Sequence, residues 1–319
     1  MRSTFSTIIT ANYYPRALAL YRSIERFDPS ATLQVLVADG GIVRPHSPVP
    51  ANLRLLDVEP LLDFSLTRLL FEKYAHTVMD EFRWSMKPVF ISWLLNQGFD
   101  KVLYLDCDMF FVNDYRFLWD ELDGAGLLLA PSWNNLDPDA GKDSFLSSYT
   151  GGIFSAGFIG ATKAGIPVLE WWARACHFMM GALIAEGVSN DQRYLDQVPV
   201  YFPGVKLLKH RGCNIGSWNE LESKRTLVNG QTMILGTSPV IFVHFDAMLV
   251  QNILRGHDPL LRPFFDAYQE CFSKEEYALS DFIGLVDTHT RPGLLRKLKW
   301  SLRLRSRVKK LLFRILQRI

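Results

Sequence analysis

The chain has no uninterrupted apolar stretch of the roughly 18 residues that a membrane-spanning helix requires. Its opening, Met1 to Thr10, also has no apolar core long enough for a secretory leader. A soluble protein, or one held at a membrane surface, is therefore expected. Cysteine is scarce: Cys107, Cys176, Cys213 and Cys271 lie too far apart for a zinc knuckle, a Cys-x-x-Cys redox site or a disulfide framework, which points to a reducing, cytoplasmic compartment. Acidic residues are missing after Asp287, where eleven of the 35 Lys and Arg residues fall, so a net charge of +2 conceals an acidic body with a basic tail. No internal repeat occurs, and no linker cleanly divides the body. What the chain does have is 319 residues that are 48% hydrophobic, ample for one large or two ordinary cores.

Apolar patterning predicts a strand–helix–strand rhythm. Strands are expected over 5–10, 33–38 and 53–58 and a helix over 15–27, with Pro45, Pro48 and Pro50 marking a surface loop. Residues 64–96 read as largely helical, with Pro88 beginning the last helix because a first-turn proline forfeits no intrahelical bond. Strands over 102–105 and 125–130 follow. The stretch 132–150, rich in Asn, Asp, Gly and Ser, reads as a mobile loop, and 151–160 as a strand whose small residues admit close approach. This alternation argues an α/β fold built on a parallel sheet, with ligands gathering beyond the carboxyl ends of the strands. Thr10 to Tyr13, Asp39 and Asp106 to Asp108 are expected to converge there on one nucleotide-sized crevice.

The run Lys101-Val102-Leu103-Tyr104-Leu105-Asp106-Cys107-Asp108 carries the most chemistry, because a buried strand ends in two carboxylates one residue apart. In extended backbone Asp106 and Asp108 share a face while Cys107 turns away. Such hard oxygen ligands suit Mg²⁺ or Mn²⁺ carrying a diphosphate. An exposed turn is the plainer alternative.

Several separated motifs, in order over roughly residues 3–246, resemble the family 8 retaining glycosyltransferases, of the glycogenin and lipopolysaccharide galactosyl- and glucosyltransferase type. Thr10-Ala11-Asn12-Tyr13, followed by a helix with Ser23-Ile24, resembles that family's nucleotide-binding turn. Lys87 and then Tyr104-Leu105-Asp106-Cys107-Asp108 resemble its donor-site lysine and its metal motif. Phe154-Ser155-Ala156-Gly157 is similar to its strand beside the donor sugar, Asn190-Asp191-Gln192 to its Asp-Gln pair, and Val240 to Phe245 to the strand whose histidine completes the metal site. Two departures stand out. Ser155 replaces the family asparagine, and the segment from His244 to Asn252 lacks the family's diphosphate lysine, for which Arg255 is a candidate substitute.

The resemblance implies a GT-A-like nucleotide-sugar-binding domain over 1–285 with a mixed central sheet. It also implies a metal-dependent hexosyltransferase taking its sugar from a nucleotide diphosphate, UDP above all, to a saccharide or lipid-linked acceptor in cell-surface polysaccharide or lipopolysaccharide synthesis. It assigns Asp106, Asp108 and His244 to Mn²⁺ or Mg²⁺, with Thr10, Ala11, Asn12, Tyr13, Asp39, Lys87, Cys107, Ser155 and Ala156 at the donor. Asp191 and Gln192 fall at the reacting sugar. The plainer readings are a hydrogen-bonded structural His244, a solvated Lys87, an ordinary turn at Asn12 and Tyr13, and a helix cap at Asp191. A nucleotidyltransferase is the rival enzyme class, although the glycine- and lysine-rich first loop usual there has no counterpart in Thr10 to Pro15. A membrane-tethered sugar-nucleotide binder is the non-enzymatic rival.

The tail, 286–319, is a separate device. Leu304, Val308, Leu311, Leu312, Ile315 and Ile319 follow helical spacing, with Arg303, Arg307, Lys310, Arg314 and Arg318 opposite. A helix lying on an anionic membrane, with Trp300 at headgroup level, is the leading reading and places the protein at the inner face of the membrane. Packing on the acidic body is the second. Nucleic-acid binding is the least favoured, since no recognisable module accompanies the charge.

Overall fold

The computed structural model describes residues 1–181, 186–275 and 277, so the expected tail helix over 286–319 lies outside the described residues. A seven-stranded sheet runs β3-β2-β1-β4-β7-β6-β8 and is parallel except for β7. Its strands are β1 (Ser3–Ile9), β2 (Leu33–Val37), β3 (Leu53–Asp57), β4 (Lys101–Leu105), β6 (Leu127–Pro131), β7 (Phe154–Thr162) and β8 (Val205–Leu207). A two-stranded ribbon pairs β5 (Met109–Phe111) with β12 (Phe242–His244), and β9 (Arg225–Val228), β10 (Gln231–Ile234) and β11 (Ser238–Pro239) form a small third sheet. The helices are α1 (Tyr14–Glu25), α2 (Ser65–Tyr74), α3 (Met79–Asn96), α4 (Phe117–Glu121), α5 (Lys142–Gly151), α6 (Ile166–Phe178), α7 (Val198–Tyr201), α8 (Ala247–Leu254) and α9 (Arg262–Lys274). The expected α/β class is what the structure shows. Among the described residues no helix is long and apolar enough to cross a membrane.

Strand side chains alternate between two apolar layers, because successive residues of a strand face opposite ways. Ile8, Leu36, Val102 and Tyr104 pack with α2, α3 and α6 on one face; Phe5, Ile9, Val35 and Leu103 pack with α1, α4 and the ribbon on the other. Burial on both faces explains why these strands read as nearly continuous apolar runs.

Two expectations fail here. Pro88 does not start a helix; it lies inside α3. An interior proline costs about 3 kcal/mol. Phe82, Met86, Phe90, Ile91, Leu94 and Leu95 are buried on either side of it, at about 1.5–3 kcal/mol apiece, enough to carry the helix through. The segment 132–150 is not all loop either. It contains a 3₁₀ turn at Pro138–Ala140 and the helix α5, bounded by Gly141 (φ 127°) and Gly152 (φ 104°), so its polar composition concealed a helix that tertiary contacts hold.

Candidate active site

Parallel pairing of β1, β2 and β4 brings Thr10, Asp39 and Asp106 to one edge of the sheet. Antiparallel β7 presents its amino-terminal end to the same edge: Leu105 pairs with Phe158, and Asp106 N donates to Gly157 O at 2.8 Å. The chain does not continue extended through the carboxylates. It turns, with Met109 N donating to Asp106 O at 3.0 Å, so Asp106 and Asp108 have different partners instead of sharing one strand face. The turn feeds β5, whose Met109 pairs with His244 of β12, and Phe245 N donates to Asp108 O at 2.8 Å. That register sets the imidazole beside the second aspartate.

Lys87, on α3, is 3% exposed and holds the site together. Its ammonium lies 3.2 Å from Asp106 Oδ1 and 3.1 Å from Asp191 Oδ2, and it donates to Ala156 O at 3.2 Å. Burial disfavours its charge, but Asp106 and Asp191 outweigh that and raise its pKa. A solvated lysine is thereby excluded. Burial pushes Asp191 up despite Lys87, so Asp191 is a buried carboxylate paired with a buried cation; it makes no side-chain cap on the 3₁₀ helix that follows it. Gln192 is anchored twice, accepting from Ala156 N at 3.2 Å and donating to Gly151 O at 2.9 Å.

Around Asp108, His244 Nε2 stands 3.0 Å from Oδ1 and Arg16 Nη1 3.4 Å from Oδ2. Burial alone would raise the Asp108 carboxyl, yet His244 and Arg16 hold it well below the usual carboxylate range. Burial likewise opposes a charged His244, but Asp108, with Asp106 and Asp246 behind it, raises the ring to about 9. Tyr104 donates its hydroxyl to Asp106 Oδ1 at 2.8 Å and, buried, stays protonated. Burial also pushes the Cys107 thiol up to about 12, which excludes a thiolate nucleophile.

Two cavities meet at Asp106 and Trp84. The larger, about 400 Å³, is lined by Lys87, Ser155, Ala156, Asp191, Gln192 and His244, together with Ser132, Asn134 and Trp218. The smaller, about 220 Å³, is lined by Tyr13, Arg16, Arg83, Cys107 and Asp108. Arg16 and Arg83 both lie over the Tyr13 ring, at 4.9 and 5.3 Å from its centroid. Thr10, Ala11, Asn12 and Asp39 line neither cavity. Thr10 Oγ1 donates to Asn12 Oδ1 at 2.5 Å, and Asp39 Oδ1 accepts from Ala11 N at 3.0 Å and Gly41 N at 3.2 Å, so these side chains build the turn that carries Tyr13. Arg255 is exposed at the carboxyl end of α8 and lines neither cavity.

Motif reading missed Arg16, Arg83, Trp84 and Trp218. Arg83 was within reach, since it precedes Lys87 by one helical turn and shares its face. Trp218 carried no local signal; it arrives through the bridge of Ile215 to Val243 beside His244.

Two carboxylates suit a hard divalent cation, and the imidazole, a softer donor, tilts the set toward Mn²⁺ over Ca²⁺. Asp106 Oδ2 and His244 Cε1 converge over Gly157, where a Cβ would stand 2.9 and 3.0 Å from them, and buried His244 Nδ1 has no hydrogen-bond partner. The glycine and the orphaned nitrogen fit a cradle for a further group. Among the described residues no three His, Cys, Asp or Glu side chains are already gathered as a metal-binding group; the expected ligands are engaged with one another and with Lys87 and Arg16.

No protein-family model matches the chain. It is 28% identical over 261 residues to the uncharacterized protein YfnF of Bacillus subtilis (strain 168), spanning 79% of this chain and 84% of that protein. It is 26% identical over 249 residues to YfnD of the same organism, also uncharacterized, covering 76% of each. Among solved structures it is similar to the galactosyltransferase LgtC in complex with donor and acceptor sugar analogs, at 19% identity, 76% of this chain, 86% of that one and a TM-score of 0.43. Mouse xyloside xylosyltransferase 1, in its apo form, gives 11% identity, 78% of this chain, 99% of that one and a TM-score of 0.49.

Proposed function

We propose that the protein is a metal-dependent hexosyltransferase of the GT-A type that takes its sugar from a nucleoside diphosphate sugar, UDP-linked above all, and passes it with retention to a saccharide or lipid-linked acceptor. The observation that carries this reading is the convergence of Asp106, Asp108, His244, Lys87 and Asp191 at the carboxyl edge of a parallel sheet, between two adjoining cavities. A nucleotide-sized site is expected at such an edge.

Asp106, Asp108 and His244 would hold Mn²⁺ or Mg²⁺, whose contribution is Lewis-acid stabilisation of the diphosphate leaving group. The smaller cavity offers Tyr13 to the base and the Arg16 and Arg83 guanidinium groups to phosphate oxygens, which planar forked donors match well. In the larger cavity Asp191 accepts hydrogen bonds from sugar hydroxyls, with Lys87 neutralising its charge. Gln192 holds the Gly151 and Ala156 backbone against the sugar. The bond from the anomeric carbon to phosphate oxygen breaks, the acceptor hydroxyl attacks from the same face, and its proton passes to the departing phosphate. No side chain is placed as a covalent nucleophile. On this reading the basic tail docks the enzyme on an anionic membrane at the cytoplasmic face, in cell-surface polysaccharide synthesis.

A sugar-nucleotide panel with and without Mn²⁺ tests the reading by thermal stabilisation, since ligands of the native state raise its melting temperature. One UDP-sugar should stabilise only with metal and be slowly hydrolysed, and Asp106→Asn or Asp108→Asn should abolish both effects. Metal-independent stabilisation, or none by any sugar nucleotide, would refute it. For the tail, flotation with phosphatidylglycerol-containing liposomes should require residues 290–319; equal flotation without them removes the membrane claim.

A further inference from the structure

Within this site, and resting on the transferase reading, we infer that Trp218 is the platform on which a pyranose ring stacks. The turn carrying it is built with unusual redundancy for a partly exposed residue. Asn219 Oδ1 accepts from Gly216 N at 3.2 Å, Asn219 Nδ2 donates to Asn214 O at 2.8 Å, and Arg225 Nη2 donates to Gly216 O at 2.8 Å. Asp246 takes both Ser217 N, at 3.0 Å, and Ser217 Oγ, at 2.9 Å. Arg225 is locked in turn by Asp258, 3.2 Å away in a pair that is nearly inaccessible to solvent.

These bonds hold the indole in one place. Its six-membered ring folds over Gly216, where a Cβ would come within 2.4 Å of ring carbons, so only glycine lets it lie there. Its Nε1 is already spent on Ser132 O at 2.9 Å. Its ring stands at 87° to that of His244, with centroids 5.2 Å apart. With the N–H satisfied internally, what the indole offers the larger cavity, which it lines, is apolar ring carbon. Around it the lining offers Ser132, Asn134, Ser155 and Gln192. An aromatic surface flanked by hydroxyl and amide groups complements a pyranose, whose C–H face is apolar and weakly positive and whose rim carries hydroxyls. A phosphate would not use the aromatic surface, and a nucleobase, which also stacks on aromatic rings, is offered Tyr13 in the smaller cavity on the proposed reading. The ring is either the donor hexose or an acceptor saccharide, and both present the same chemistry.

The test uses the full chain with Mn²⁺ and compares wild type, Trp218→Leu and Trp218→Phe. Titration calorimetry with UDP, UDP-glucose and UDP-galactose forms one arm. Saturation-transfer NMR with glucose, galactose and their disaccharides, in the presence of UDP, forms the other. Trp218→Leu should leave UDP affinity within twofold while weakening either the preferred UDP-hexose or the bound saccharide by about tenfold, a plausible loss for one aromatic stacking surface. The first result assigns the donor ring and the second the acceptor. Trp218→Phe, which keeps a ring but lacks the bond to Ser132, should recover part of the loss and serves if the leucine variant folds poorly. An equal fall in UDP and UDP-hexose affinity would mean that Trp218 only supports His244, and unchanged binding in both arms would also overturn the inference. Failure of wild type to bind any of these probes would remove the transferase reading itself, and this inference with it.

Discussion

Replacing Lys87 with Met removes a cation that satisfies two carboxylates at once. Asp191 has a side chain 6% exposed, and its ion pair with Lys87 spans 3.1 Å. Breaking a buried pair from one side costs about 3–5 kcal/mol, because the remaining charge has neither water nor partner. Asp106 is less affected, being 28% exposed and retaining the Tyr104 hydroxyl. We expect a loss of about 3 kcal/mol at pH 7 by urea unfolding, or roughly 4–5 °C in melting temperature. The deficit should shrink toward pH 5. Burial already raises the Asp191 carboxyl in the native protein, and without Lys87 it rises further, so the variant's stability falls as pH climbs from the unfolded carboxyl pKa through that folded value. Adding Asp191→Asn should restore much of the loss, since a neutral amide need not be paired. A deficit below about 1 kcal/mol, or a double variant as unstable as the sum of the singles, would refute the buried-triad reasoning.

The remaining expectations concern Gly157 and His244. A methyl at Gly157 would stand 2.9 Å from both Asp106 Oδ2 and Met109 Cε and 3.0 Å from His244 Cε1, so Gly157→Ala should cost about 1–3 kcal/mol of stability and abolish Mn²⁺-dependent stabilisation by a sugar nucleotide; an unchanged response would exclude Gly157 as a cradle. Because the folded His244 is raised to about 9, its pairing with Asp108 stabilises the metal-free protein fully below the ordinary histidine pKa, and that contribution is lost as pH rises through about 9. His244→Gln should therefore flatten the decline in melting temperature between pH 7 and 9.5, and an identical decline in both proteins would show that the pair contributes nothing. His210, lowered by burial, acts oppositely and should cost stability as pH falls below its ordinary value; His210→Gln should lessen that acid-side loss in melting temperature, and an unaltered profile would count against it.

Much of this site was legible in order along the chain. Short apolar runs ending in Thr10, Asp39 and Asp106 are local features, and strands buried on both faces write them directly into composition. The α/β class and the edge at which chemistry collects follow from those runs, whereas the antiparallel insertion of β7, which makes the sheet mixed, does not. Lys87 was identifiable as a candidate, and its depth was not, because burial is set by what packs over α3. Pro88 within that helix and α5 within a polar stretch misled for the same reason: local propensity is weak beside tertiary contact. Tertiary structure alone decided that His244 sits on Asp108, through the register of β5 against β12, and that Lys87 bridges Asp106 and Asp191. It also brought Arg16, Arg83 and Trp218 to the two cavities. Those meetings join residues far apart along the chain, and no local periodicity records which distant segments share an edge; only pairing and packing of the whole sheet does.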